Sequence, residues 1–209
     1  RAALVLYIAH FSYNWSFYTL LVELPTYLNK ELDFDLSSAG FISVLPYLSQ
    51  FFVSSLGGML VDALIVHKVL SRDNARKTAQ TMGTVVPGML LVACGYITRP
   101  YVVVALLSTA TALMGFVNSG YCAAYSDVSP TLSSVLFGVG NTIGTFPGII
   151  SPILSGWILS GDDKSQEWKV IFYIAFGILC VGTSVFWISA TTQKVDSLNL
   201  KEEKQTVNV

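Results

Sequence analysis

The sequence predicts an all-α membrane protein of six transmembrane helices, because it carries little charge and that charge is unevenly spaced. Of its 209 residues, 53% are hydrophobic and 12% are charged, and the mean hydropathy is +0.59. A soluble domain carries roughly 25% charged residues, so this chain has too few for a water-exposed surface. Six stretches contain no Asp, Glu, Lys or Arg, and each reaches the roughly 20 residues that a helix needs to cross a bilayer: residues 2–22, 36–61, 78–98, 100–126, 128–161 and 170–193.

The six spans follow one another with short connections. The first ends soon after Pro25, and the pair Pro87-Gly88 predicts a kink within the third. A single Arg precedes the first span, which suggests a piece of a longer protein. We expect one six-helix transmembrane domain over residues 1–192 and a polar cytosolic tail over 193–209. The spans are placed at residues 2–28, 36–65, 78–97, 101–124, 132–160 and 168–191.

The basic residues predict the orientation of the spans. With six spans, both chain ends and the second and fourth loops share one side of the membrane. That side carries Arg1, Lys68, Arg72, Arg76, Lys77, Lys194, Lys201 and Lys204, and the opposite side carries Lys30, Arg99, Lys164 and Lys169. The positive-inside rule therefore predicts that both ends are cytosolic. The net charge of −1 gives no reason to expect a nucleic-acid partner.

A polar stripe runs along the first span. His10, Asn14 and Tyr18 recur at intervals of four residues, and with Tyr13 they lie within about 140° of one helix face. Polar groups that face lipid are costly, so this face should meet other helices or a wet cavity. Two interpretations stay open: a substrate-cavity wall whose hydroxyls and amide donate to an anion, or hydrogen bonding between helices.

Two acidic residues near span ends are candidates for coupling or gating. Glu23 is flanked by apolar residues just before Pro25, so it is a candidate proton site or gate, although it could also reach water. Asp62 ends the second span ahead of a basic loop. It could form a cytosolic latch with that loop or be a solvated helix end.

The fifth span combines small, bending and polar residues. Its glycines and prolines permit close helix approach and bending. Asn141 and Thr145 share a face at i, i+4 and could line a pathway, whereas close packing explains most of the glycines.

No enzymatic or metal-binding pattern occurs. The sequence lacks H-E-x-x-H, paired intramembrane aspartates and a P-loop, and it points to no cofactor or metal. Cys94, Cys122 and Cys180 lie in apolar runs without metal-ligand spacing, so we interpret them as packing residues. We therefore expect a protein that is not an enzyme.

The first span also carries a specific sequence resemblance. Residues 9–21 read AHFSYNWSFYTLL and residues 24–27 read LPTY, followed by LPYL at 45–48, Gly57-Gly58 with Asp62, and FYIA at 172–175. This series resembles the sialin-like members of the anion/cation symporter family, within the major facilitator superfamily. The resemblance covers about residues 2–190, and its first block is the most specific.

The resemblance implies the C-terminal half of a twelve-helix transporter, with the N-terminal six-helix half absent. It implies alternating access around a midplane site, proton-coupled export of sialic acid or related acidic sugars, and a lysosomal or vesicular membrane. Tyr13 and Tyr18 match two cavity tyrosines of such members. The implied partners are a small organic anion, a proton or alternatively sodium, the lipid bilayer and the missing half.

Departures from the family pattern leave alternatives open. Tyr125 stands where relatives have histidine, and Tyr13 stands where vesicular glutamate carriers have arginine. A sodium-phosphate, vesicular glutamate or broader organic-anion carrier is the alternative within the class. A truncated, non-transporting membrane protein that binds partners is the alternative outside it. Because this half has no mid-membrane Lys or Arg, we expect the substrate-binding cation and the main coupling acid in the absent half.

Overall fold

The computed structural model describes residues 2–161 and 163–189, and these residues fold into six helical spans with no strand among them. The predicted all-α membrane fold is confirmed. Residues 193–209, the predicted tail, lie outside the described residues.

The helices of the six spans have the following bounds. Span 1 is α1 (Ala2–Lys30); span 2 is α2 (Leu36–Ile42) and α3 (Val44–Val66); span 3 is α4 (Arg72–Cys94); span 4 is α5 (Pro100–Met114), a 3-10 turn (Gly115–Asn118) and α6 (Tyr121–Val128); span 5 is α7 (Ser133–Thr145) and α8 (Pro147–Ile158); span 6 is α9 (Lys164–Ser189).

Four of the spans are long and apolar enough to cross a membrane by length and composition alone, namely spans 2, 4, 5 and 6. Spans 1 and 3 are more polar. Their polar side chains are placed inside the bundle: Ser12, Ser16 and Thr19 of α1 are buried, as are Gln80 and Thr84 of α4. A polar helix can therefore lie within this bundle without exposing those groups to lipid.

Helix α1 lies at the centre of one side of the bundle. It packs against α9, α7, α8 and α6, while α5 packs against α3 and α4, and α4 joins the two groups through α9. The peripheral spans are the most exposed. Only 11% of the most apolar window of span 2 and 17% of that of span 5 is buried, against 39% in spans 4 and 6.

Three spans are interrupted at identifiable residues. Span 2 breaks at Ser43, whose hydroxyl donates to the Ala39 carbonyl oxygen at 2.6 Å. Span 5 breaks at Phe146, ahead of Pro147, which lacks the N–H needed to continue the helix ladder. Span 4 tightens into the 3-10 turn before Gly120. Helix α4, in contrast, continues through Pro87.

A buried ion-pair network closes the end of the bundle that is predicted to be cytosolic. Asp127, at the end of α6, accepts from Arg76 Nε at 2.7 Å and from Arg72 Nη1 at 3.0 Å. Arg76 also donates to the Ser119 carbonyl oxygen at 3.1 Å. The side chains of Asp127 and Arg76 are only 7% and 11% exposed, so the network holds the start of α4 against span 4.

Replacing Asp127 with Asn should strongly destabilise the protein. The substitution leaves the buried Arg76 guanidinium without its counter-charge, which costs about 3 kcal/mol for a pair of this kind. Thermal unfolding of the purified protein should show a lower melting temperature for Asp127→Asn. The matched control is Asp62→Asn, because Asp62 is exposed and forms no ion pair with any described residue. Equal melting temperatures for the two variants would contradict the assignment.

Candidate functional site

The polar stripe of α1 lies between α7 and α8 on one side and α3 on the other, with α6 beside it. His10, Tyr13 and Asn14 are buried, with 3%, 9% and 7% of their surfaces exposed, and Tyr18 is half-buried. The stripe divides: His10, Asn14 and Tyr18 contact α7 and α8, whereas Tyr13 contacts α3. The structure therefore places the predicted face inside the bundle and gives it two different partners.

His10 sits in an aromatic cage. Its ring centroid lies 4.7 Å from that of Tyr121, 5.4 Å from that of Phe137 and 6.2 Å from that of Tyr125. Its Nδ1 atom lies 3.4 Å from the Tyr125 hydroxyl oxygen. Tyr125 of α6 thus meets the histidine of α1 through both its ring and its hydroxyl.

Asn14 joins α1 to α7 through the backbone. Its Nδ2 donates to the Gly144 carbonyl oxygen at 2.8 Å. The two helices are so close here that a β-carbon on Gly144 would lie 2.7 Å from Asn14 Nδ2 and 3.1 Å from His10 Cδ2. One turn earlier, a β-carbon on Gly140 would collide with the Tyr125 hydroxyl. Gly144 therefore makes room for the polar face of α1, and Gly140 makes room for the Tyr125 side chain of α6.

Tyr13 and Tyr18 face opposite neighbours. The Tyr13 hydroxyl accepts a hydrogen bond from Gln50 Nε2 of α3 at 2.9 Å, and the Tyr13 ring stacks on Phe17 with centroids 5.8 Å apart. The Tyr18 ring packs on Gly148, where a β-carbon would lie 3.3 Å from the ring. Both phenols border the α1 face, but they do not form a single pair.

Asn141 and Thr145 share an exposed face of α7. The Thr145 hydroxyl donates to the Asn141 carbonyl oxygen at 2.8 Å, and both residues are exposed. They follow Gly140 and Gly144 by one residue, so they point away from α1 while the glycines contact it. The predicted pair therefore does not meet the stripe of α1 in this structure.

The two acidic candidates lie apart from this cluster. Glu23 is half-buried one to two turns before the end of α1, and no other described residue gives it a hydrogen bond or ion pair. Asp62 is exposed at the end of span 2. The ion pairs at that end of the bundle belong to Asp127.

Several residues of the site were not identified from the sequence: Gln50, Tyr121, Tyr125 and Phe137. Tyr121 and Tyr125 recur at i, i+4, the same spacing that marked the stripe of α1, so a search of span 4 for polar periodicity would have found them. Nothing in the sequence around Gln50 indicates that its amide reaches Tyr13.

The site is neutral and rich in hydrogen-bonding groups. In the described spans, Lys and Arg lie near the span ends, and none of them contacts the α1 stripe. Within the described residues, no group of three His, Cys, Asp or Glu is placed to hold a metal ion. The arrangement offers phenol, imidazole and amide groups beside aromatic rings, which suit the oxygen-bearing and apolar parts of a small molecule.

A separate cavity of about 230 Å³ opens at the opposite end of the bundle, between the ends of α1 and α4 and the start of α9. Its lining includes Tyr27, Glu31, Trp168 and Lys169. Burial raises the pKa of the Glu31 carboxyl above its usual range, and nearby Asp163 and Glu167 add to the rise. This cavity is not continuous with the α1 stripe.

An all-helical bundle with apolar spans, buried polar helices and charge confined to its ends is a multi-pass membrane protein. The chain belongs to the Major Facilitator Superfamily, whose sequence profile matches residues 6–208. This membership confirms the family suggested by the α1 motif. It places the chain among membrane transporters and not among enzymes, as predicted.

Several curated transporters match most of this chain. The chain is 38% identical to sialin of Homo sapiens over 184 residues, which are 88% of this chain and 37% of that protein. It is 30% identical to vesicular glutamate transporter 1 of Bos taurus over 200 residues, 94% of this chain and 36% of that protein. The chloroplastic ascorbate transporter of Arabidopsis thaliana is 32% identical over 190 residues, 91% of this chain and 34% of that protein. The chain thus spans little more than a third of the length of these curated relatives.

Gly144→Ala should weaken the contact between α1 and α7. The added methyl group must displace Asn14 and His10, and overpacking of this kind costs about 1–3 kcal/mol. Thermal unfolding is the measurement, with Gly138→Ala as the matched control on the same helix. A β-carbon at Gly138 meets nothing within 4 Å, so that variant should be neutral or slightly stabilising. A Gly144→Ala variant as stable as Gly138→Ala would contradict the close approach.

Proposed function

We propose that this chain is the C-terminal half of a transporter that exports sialic acid or related acidic sugars together with protons, by alternating access. The observation that carries the proposal is the neutral, hydrogen-bonding face of α1 inside the bundle. Similarity to sialin over 88% of the chain supports it. The substrate, the coupling ion and the alternating mechanism are all part of the proposal.

The exposed faces of spans 2 and 5 support the presence of a second half. Asn141 and Thr145 present polar groups on the outer face of α7, and Gln50 is only half-buried on α3. An amide facing hydrocarbon is costly, so these residues favour a neighbouring protein surface or a wet pathway over lipid. The absent six-helix half would supply that surface, because the curated relatives are more than twice as long as this chain.

The positions of Lys and Arg indicate which substrate groups each half binds. An acidic substrate needs a cation near its carboxylate, and no described Lys or Arg contacts the α1 face. We therefore place the carboxylate-binding arginine and the main coupling acid in the other half. In this half Tyr13, Asn14 and Tyr18 bind the uncharged part of the substrate, and His10 and Glu23 are candidates for coupling or gating.

The proposed setting is the membrane of an acidic organelle, lysosomal or vesicular, with both ends of the chain in the cytosol. The excess of Lys and Arg around Arg72 and Arg76 supports that orientation. The same orientation puts the Asp127 network at the cytosolic end and the 230 Å³ cavity at the luminal end. Vesicular glutamate transport is the second candidate, favoured by the 30% identity to vesicular glutamate transporter 1.

Uptake of labelled sialic acid by proteoliposomes tests this proposal. Liposomes holding the complete transporter should accumulate sialic acid when the external pH is acidic and much less when it is neutral. Tyr13→Phe and Tyr18→Phe should each raise the KM roughly fivefold, because each removes one hydrogen bond of about 1 kcal/mol.

Two controls accompany the uptake measurement. Tyr101→Phe removes a hydroxyl from an exposed residue outside the site and should leave uptake unchanged. Liposomes holding this chain alone should not accumulate substrate. Gradient-driven uptake of glutamate or phosphate without sialic acid would reject the proposed substrate.

A further inference from the structure

Tyr47 of α3 has a buried hydroxyl with no hydrogen-bond partner among the described residues. Its side chain is half-buried, but its oxygen is shielded from solvent. An unpaired buried hydroxyl lowers stability, so native proteins contain few of them. The Tyr47 hydroxyl therefore needs a hydrogen-bond partner that none of the described residues supplies.

The other unpaired buried hydroxyl among the described residues, that of Ser151 in α8, has an ordinary explanation. A serine inside a helix can rotate to bond the carbonyl oxygen one turn back. A tyrosine hydroxyl stands too far from its own helix to do so. Tyr47 therefore needs a partner outside its own helix.

The surroundings of Tyr47 connect it to the proposed site. Its ring meets Phe17 of α1 edge to face, with centroids 6.1 Å apart, and Phe17 in turn stacks on Tyr13. Tyr47 thus borders the contact between α1 and α3, on the Tyr13 side of the stripe.

The hydrogen bonds on this side leave donors unused. Gln50 donates to the Tyr13 hydroxyl oxygen, so the Tyr13 proton itself remains free to be donated. No described residue accepts the proton of Tyr47. The hydroxyl protons of Tyr13 and Tyr47 are therefore both available to a ligand. The Phe17 ring contacts both tyrosine rings and supplies an apolar surface between them.

We propose that Tyr47 and Tyr13 form a subsite between α1 and α3 in which both hydroxyls donate to oxygen atoms of the transported molecule. This inference rests on the proposed function and extends it to α3. The ligand is an oxygen-rich acid whose acceptor oxygens meet the phenols while its carbon skeleton lies on Phe17. Because the Tyr47 oxygen is shielded here, the substrate reaches it when α1 and α3 separate during transport. Gln50 acts as a positioning residue that orients Tyr13.

Tyr47→Phe in the complete transporter tests the subsite, because it removes only the hydroxyl oxygen. The KM for labelled sialic acid should rise roughly fivefold, the effect of one lost hydrogen bond, with the maximal rate within about twofold of wild type. The melting temperature without substrate should rise, since an unpaired buried group is gone. The further rise produced by adding sialic acid should shrink. Tyr101→Phe, on an exposed tyrosine, should change none of these values.

The results separate the subsite from the proposed function. If wild-type protein transports sialic acid and Tyr47→Phe leaves both the KM and the substrate-induced stabilisation unchanged, the subsite is refuted and the function stands. If the wild type carries another organic anion, the proposed substrate fails, and the same comparison made with that anion decides the role of Tyr47. If it carries no organic anion, both proposals fail.

Discussion

The close contact between α1 and α7 is the constraint on which the rest of this bundle depends. Helix α1 carries His10 and Asn14 into an apolar interior, and burying such groups without partners would be costly. Gly144 resolves this because the facing helix carries no side chain there, so that Asn14 reaches the Gly144 carbonyl oxygen at 2.8 Å. The acceptor is fixed by the backbone of α7, so its position does not depend on a side-chain rotamer of that helix.

The polar groups of the bundle fall into two sets: those between α1 and α7, and those on the exposed faces of α3 and α7. Between α1 and α7, Asn14 joins the two helices through its hydrogen bond to Gly144 while it also borders the proposed substrate site. The polar groups of the second set, Gln50 on α3 and Asn141 on α7, border surfaces that this chain leaves open. Under the proposed function, the open surfaces meet the second half and the substrate pathway. The Asp127 network ties α4 to span 4 at one end of the bundle and leaves the contact between α1 and α3 free to open.

Much of the architecture could be predicted from local patterns, because the spacing of charge defines the spans and the i, i+4 spacing in α1 defines a buried polar face. What could not be predicted depends on pairing between distant parts of the chain. The i, i+4 spacing of Asn141 and Thr145 gives them a shared face, but it does not indicate that the preceding glycines are the residues that meet α1. Asp62, ahead of its basic loop, was a candidate for either a latch or a solvated helix end, and no local pattern indicates that Asp127, 65 positions later, meets Arg76.

Cysteine accessibility at position 141 tests most directly the claim that the outer face of α7 borders a wet substrate pathway. Asn141→Cys would be made in a complete transporter whose native cysteines, Cys94, Cys122 and Cys180 among them, are replaced. The account predicts that a membrane-impermeant maleimide labels Asn141→Cys in intact membranes, and that sialic acid slows the labelling. Labelling that occurs only after the membrane is dissolved in detergent would show that no aqueous pathway reaches the residue, and would contradict the account.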